Sequence, residues 1–245
     1  MSRWLSAWLP QAASSHAPAF DAVVAAAHLD GLIVFASWLA IFAVILVRFR
    51  AGRGRAPGSP AGRWPLAAIA LVVVGDVWLL AGSALPVWWR RADPPPAGAV
   101  EVRVVGEQFA WNVHYPGLDG RFGRTDRSLI TAADPLGIDR TDPAGADDFV
   151  LINLLVLPVN RPALVHLATK DVIHSFTLAE MRVKQDITPG LPTTAWFTPT
   201  ATGVWEIGCS QLCGLGHYRM RGVFEVQSAE DWEAFVRDEV ALIAK

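Results

Sequence analysis

The chain is poor in cysteine, in lysine and in charge of any sign. Two cysteines among 245 residues are too few for the disulfide framework of a small secreted fold. Charged residues make up 18% and hydrophobic residues 52%, against about 25% and about 45–50% in ordinary soluble domains. A formal net charge of −2 leaves no broad basic field, which excludes a nucleic-acid binder built on phosphate attraction. Gln, Ser and Lys are scarce, with 3 lysines against 18 arginines, which excludes a mainly disordered chain. No internal repeat is visible.

Hydrophobicity is what the chain has in excess, and it is concentrated near the N-terminus. Residues 31–47 carry no charge, residues 23–29 extend the run past Asp30, and residues 65–89 carry one charge, Asp76. Roughly 20 apolar residues cross a bilayer core of about 30 Å. The expectation is therefore a transmembrane hairpin over residues 22–91, with helices at about 22–49 and 65–89; a pair of buried core helices is the alternative their length disfavours. Between them, Arg48, Arg50, Arg53, Arg55 and Arg63 stand in a Gly- and Pro-rich stretch. The positive-inside bias makes this loop cytoplasmic and puts an N-terminal tail, residues 1–21, and everything from residue 92 onward outside. Pro10 breaks the short apolar part of the tail, which reads as retained rather than as a cleaved signal peptide. Trp88 and Trp89 suit an interfacial belt. A carboxylate inside a bilayer is costly unless paired or protonated, so Asp76, midway along the second span, is expected to face a partner helix or a proton path. Asp30 lies near the outer end of the first span.

The outer part, residues 92–245, is acidic by 7 charges. Such a surface steers a cationic partner at low ionic strength, or serves solubility alone. Segments 100–105, 149–156, 163–169, 193–198, 203–207 and 223–226 alternate or are β-branched, with turn signals between them, which predicts an all-β sandwich or barrel. Residues 118–148 read as a long loop with acidic positions 134, 139, 142, 147 and 148. Ser228 and Asp231 form a capping box before a short C-terminal helix whose Trp232, Phe235, Val236 and Val240 share one face.

One constellation carries chemistry. Cys209, Cys213, His217 and Met220 stand in the stretch CSQLCGLGHYRM, with His174 in DVIHSF upstream. Two imidazoles, a thiolate and a weak axial thioether suit a copper electron-transfer site, because these donors hold both oxidation states. A second thiolate four positions from the first allows both sulfurs to bridge two metals, with one imidazole on each. A Cys209–Cys213 disulfide and a zinc site remain open, though the first leaves the histidines and Met220 unexplained and the second gives Met220 no role. His16, His28, His114 and His166 read as structural.

The two spans, the aromatic segment GEQFAWNVHYPG, and then DVIHSF, KQDITPG and CSQLCGLGHYRM in that order, together resemble cytochrome c oxidase subunit II of the haem-copper oxidases. The resemblance covers nearly the whole chain. It implies a cupredoxin-like Greek-key domain on the periplasmic side of a bacterial inner membrane, anchored by a multi-pass hairpin. It also implies a binuclear copper centre, CuA, held by His174, Cys209, Cys213, His217, Met220 and the backbone carbonyl of Gln211. Electrons would arrive from cytochrome c near Phe109 and Trp111 and leave for the haem of subunit I, where oxygen is reduced to water with proton translocation; subunit III is a further partner. The chain departs from the family in three places. Gln211 stands where a Glu usually helps hold magnesium, Phe109 where Trp is common, and Ala67 where many members carry a Glu linked to proton uptake. No Cys-x-x-Cys-His is present, so the donor haem belongs to another protein. A metal-free subunit of a quinol oxidase and the CuA subunit of a nitric oxide reductase-like enzyme are the alternatives.

Overall fold

The computed structural model describes residues 8–50, 64–90 and 93–243. The basic loop beyond Arg50, including Arg53, Arg55 and Arg63, and the first seven residues lie outside the described part. The chain divides into a helical unit over residues 19–93 and a β unit containing residues 94–243 together with residues 8–18.

Helix α1 spans Ala17–Arg48, starting five residues earlier than the hydropathy suggests. The Ser14 hydroxyl accepts the Ala17 N–H at 3.2 Å and so satisfies one of the orphan donors of the first turn. The second apolar run forms α2 (Trp64–Trp78), a π-helical stretch Leu79–Ala84 and α3 (Leu85–Trp89). Pro86 accounts for the break: it has no N–H to give, and its ring would collide with the carbonyl four residues back, at Gly82, so the turn widens. Both runs are long and apolar enough to cross a membrane, and neither buries its apolar window. Where the two runs approach, Asp30 Oδ1 lies 3.4 Å from the position a Cβ on Gly75 would take. Asp76, one residue on, is exposed on the hairpin.

The β unit is a sandwich of two five-stranded sheets, not a closed barrel. Its strands are β1 (Val100–Glu107), β2 (Ala110–Tyr115), β3 (Phe149–Ile152), β4 (Leu154–Pro158), β5 (Ala163–Thr169), β6 (His174–Leu178), β7 (Val183–Ile187), β8 (Thr193–Phe197), β9 (Gly203–Cys209) and β10 (Arg221–Gln227), followed by α4 (Ala229–Ile243). One sheet runs β3-β2-β1-β5-β8 and the other β4-β10-β9-β6-β7. Val102, Val104, Val113, Val165, Leu167, Phe176, Phe197 and Phe224 fill the space between them.

Three strands, β2, β6 and β7, have no counterpart among the expected segments. Each is short, and β6 is buried at most positions, so it lacks the clean alternation that marks a half-exposed strand. The expected strand over residues 149–156 is in fact two. Asn153 sits between them at φ 59°, a left-handed conformation that Asn tolerates better than most residues, and the chain there passes from one sheet to the other. Its side chain accepts the Trp111 N–H at 2.8 Å and its carbonyl accepts the Val223 N–H at 2.7 Å, so one residue joins both sheets.

The tail before α1 is stitched to the sandwich rather than hanging free. Ala13 N–H donates to Glu180 O, Thr200 N–H to Ala13 O, and the Ser14 hydroxyl to Met181 O. The capping box is present: Asp231 N–H donates to the Ser228 hydroxyl at 3.1 Å and that hydroxyl donates to Asp231 Oδ2 at 2.6 Å. Trp232, Phe235, Val236 and Val240 all meet the core.

Tyr115 ties the two sheets at a second point. Its hydroxyl accepts the Val156 N–H at 2.7 Å and donates to the Val156 carbonyl at 3.1 Å, while its ring stacks on Phe149 at 4.6 Å. Removing that hydroxyl strands two buried backbone groups, so Tyr115→Phe should destabilise the β unit by about 1–3 kcal/mol in denaturant titrations. Burial also pushes the phenol's pKa well up. Its contribution to stability is therefore intact below the unfolded-state value of about 10 and lost as pH rises beyond it; the Tyr115→Phe protein should lack that part of the alkaline decline.

Candidate metal centre

His174 opens β6 and Cys209 closes β9, and these strands are neighbours, with Phe176 opposite Cys209. The loop after β9 then turns back so that Cys213, His217 and Met220 meet the strand ends just before β10 begins. Cys209 Sγ lies 3.8 Å from Cys213 Sγ and 3.9 Å from His174 Nδ1. Cys213 Sγ in turn lies 3.6 Å from His217 Nδ1 and 3.6 Å from Met220 Sδ. The Gln211 carbonyl accepts from Cys209 Sγ at 3.2 Å. All six expected donors thus gather around one sulfur pair, and neither cysteine is in a disulfide. The donor atoms of His174, Cys209 and Cys213 fall within 4.8 Å of one another. Burial, with the hydrogen bond and charge of Cys209 adding to it, pushes the Cys213 thiol up to about 11, so the neutral thiol is favoured and a metal binding there would have to displace its proton.

Two residues outside the expected set hold the site in shape. His174 Nε2 lies 2.9 Å from Asp171 Oδ1. A carboxylate only accepts, so Nε2 carries the proton and Nδ1 is left with its lone pair toward Cys209. The other Asp171 oxygen accepts the Gln108 N–H at 2.7 Å, and Gln108 Nε2 donates to the Cys213 carbonyl at 2.7 Å. Burial pushes the Asp171 carboxyl up, but hydrogen bonds from His174, Gln108 and Val172 outweigh it and hold the pKa below the usual carboxylate range. In the sequence the only signal for Asp171 was its place three residues before His174; Gln108 had none, since nothing local predicts a partner more than a hundred positions away.

The two aromatic candidates part company. Phe109 is half-buried, with its ring laid on the backbone of Gly214 and Gly216. Trp111 is fully buried and stands behind His174, with ring centroids 6.1 Å apart. Only Phe109 reaches the surface, so Trp111 presents no face to an arriving protein. The remaining histidines stay apart from the cluster: His114 pairs with Asp148 and His166 with Glu101, His28 bonds the Val24 carbonyl within α1, and His16 packs on Trp196.

Residues 100–227 match the family described as cytochrome c oxidase subunit II, periplasmic domain. The chain belongs to the cytochrome c oxidase subunit II family. It is 33% identical over 228 residues to cytochrome c oxidase subunit 2 of Cereibacter sphaeroides, covering 85% of this chain and 74% of that one. It is 39% identical over 154 residues to the alternative cytochrome c oxidase subunit 2 of Bradyrhizobium diazoefficiens, covering 62% of this chain and 56% of that one. Among solved structures, the periplasmic domain of subunit II of cytochrome oxidase from Bradyrhizobium japonicum is 27% identical, with a TM-score of 0.45 over 60% of this chain and 98% of that one. As a subunit II the chain is a membrane-anchored protein with a periplasmic domain.

Within this subunit II, the contact between Phe109 and the loop after β9 is testable. A Cβ on Gly216 would collide with the Phe109 ring, although Gly216 itself sits at φ −93°, where alanine is unstrained. Gly216→Ala should therefore cost about 1–3 kcal/mol of stability through that clash alone. Adding Phe109→Ala should recover most of the loss in a double-mutant cycle followed by thermal melting.

Proposed function

We propose that this chain is the electron-transfer subunit of a terminal haem-copper oxidase. It takes electrons from cytochrome c at a binuclear copper centre and passes them to the haem of subunit I, which reduces oxygen to water with proton translocation, in a complex that also holds subunit III. The observation that carries this reading is the meeting of two thiols, two imidazole Nδ1 atoms, a thioether and a carbonyl at the ends of β6 and β9. That donor set fits copper, since soft sulfur and imidazole favour it and a zinc site would leave Met220 idle.

Bound there, a copper pair would supply one-electron redox chemistry. His174, Cys209, Cys213, His217, Met220 and the Gln211 carbonyl would hold it. Asp171 fixes the ring and tautomer of His174, and Gln108 anchors the Cys213 backbone. Trp111 and Phe176, with rings 5.7 Å apart, close the inner side of the site to water. Such a mixed sulfur and imidazole donor set would hold both oxidation states of copper and so suit one-electron transfer. The Gln211 amide, whose Oε1 accepts the Leu212 N–H at 3.3 Å, is neutral and offers no carboxylate to magnesium.

Copper titration of the purified full-length chain tests the reading. The expected result is a pair of copper ions per chain, with an EPR spectrum in which one unpaired electron couples equally to both nuclei. Cys209→Ser and Cys213→Ser should each abolish that spectrum. A single copper with ordinary hyperfine splitting, or a metal-free chain, would overturn the proposal and favour a quinol-oxidase type of subunit. In the assembled oxidase, cytochrome c oxidation should slow steeply as salt rises, given the acidic outer part.

A further inference from the structure

The outward face of the first sheet carries a row of basic side chains remote in role from the metal centre. Arg103 on β1 stands opposite His114 on β2 and, on its other side, opposite His166 on β5. Phe122, from the long loop, lies over all three: the guanidinium carbon is 4.0 Å from its ring centre, and the imidazole centroids are 5.0 and 6.1 Å away. Each imidazole has its own carboxylate, His114 with Asp148 at 2.6 Å and His166 with Glu101 at 2.8 Å. Arg103, between them, has no hydrogen-bond acceptor or ion-pair partner for its guanidinium among the described residues. Burial lowers its pKa against the pull of Asp148 and Glu101, so the two carboxylates compensate its charge only in part.

A cavity of about 300 Å³ opens at this point, lined by Arg103, His114, Arg127 and Lys170, with Val105 and Leu136 in its apolar wall. The Lys170 charge is already met, because its ammonium binds Glu107 and the Pro135 carbonyl, both at 2.7 Å. Arg127, on the exposed turn Arg127–Leu129, has no carboxylate in ion-pair range among the described residues. Two guanidinium groups, one of them partly withdrawn from water, therefore share a cavity whose protein carboxylates are engaged elsewhere. Guanidinium is the side chain suited to bidentate recognition of a planar or tetrahedral oxyanion.

We propose that this cavity binds a phosphate-sized oxyanion, with Arg103 as the main partner and Arg127 as the second. The proposal does not depend on the copper reading, since none of the metal-site residues lines the cavity.

Thermal melting of the full-length chain in detergent, with inorganic phosphate as the probe and sodium chloride at matched ionic strength as the reference, tests it. About 10 mM phosphate should raise the melting temperature by roughly 2–4 °C above the chloride reference, and the rise should saturate. The increment should vanish in Arg103→Gln and shrink in Arg127→Ala. Because Arg103 packs on Phe122, its variant melts from a lower baseline, so the phosphate-dependent increment is what is read, and Arg127, on the surface, gives an independent check. Absence of a saturable rise in the wild type, or an undiminished rise in either variant, would overturn the assignment.

Discussion

The Asp171 carboxylate is the contact on which the candidate metal centre depends. One oxygen receives His174 Nε2 and the other receives the Gln108 N–H, and Gln108 then reaches across to the Cys213 carbonyl. Three stretches far apart in sequence are thereby referred to one carboxylate: the β1–β2 turn, the start of β6 and the loop after β9. Without that reference, His174 would be free to present either nitrogen, and the cysteine loop would keep its ties to β6 at Ser210 but lose the one at the Cys213 carbonyl. A carboxylate behind an imidazole ligand is a common way to fix both tautomer and orientation. Here the same group also positions the backbone that carries the second sulfur.

Glycines complete the geometry where side chains would obstruct it. Gly214 takes φ 130°, a conformation L side chains rarely adopt, and Gly216 leaves room for the Phe109 ring. At Gly106, a Cβ would lie 2.9 Å from Ile187 Cδ1 and 3.2 Å from the His174 ring. The loop after β9 is thus shaped as much by where atoms are missing as by its sulfur and imidazole side chains, and the aromatic ring at 109 packs on its backbone.

The sequence made the parts with strong local signals readable. Two apolar runs, the capping box at Ser228, and the Cys-xxx-Cys-xxx-His-xx-Met spacing each depend on neighbours within one or two turns, and each appears in the structure. What stayed hidden depends on distance. Asn153 splits what reads as one β-branched segment into strands of different sheets, because its left-handed backbone serves bonds to Trp111 and Val223 that no window contains. β6 and β7 are too short and too unevenly exposed to show a period of two. Trp111 illustrates the limit from the other side: resemblance puts it beside Phe109 as a surface aromatic, but alternation along β2 turns it inward, against His174 and Phe176.

The acidic loop deserves a different reading from the one its composition suggests. Asp134 accepts the N–H groups of Leu136, Gly137 and Ile138, Asp139 accepts from Thr141 and Arg124, Asp142 from Arg124 and Ala144, Asp147 from Leu118, and Asp148 from Gly123. Asp134, Asp139 and Asp142 form local turns, whereas Asp147 and Asp148 accept from residues 29 and 25 positions away and close the loop back on its start, so the carboxylates take the place of a strand ladder over these 31 residues. Thr141, through its hydroxyl and its N–H, together with Arg124, holds the Asp139 carboxyl down to about 2, so its charge persists through any physiological pH. The loop's negative charges are consequently held by hydrogen bonds to its own backbone and side chains. The same folding of the loop lays Phe122 over Arg103, so the acids that shape the exterior also set the ring that covers a cavity lined by Arg103, Arg127 and Lys170.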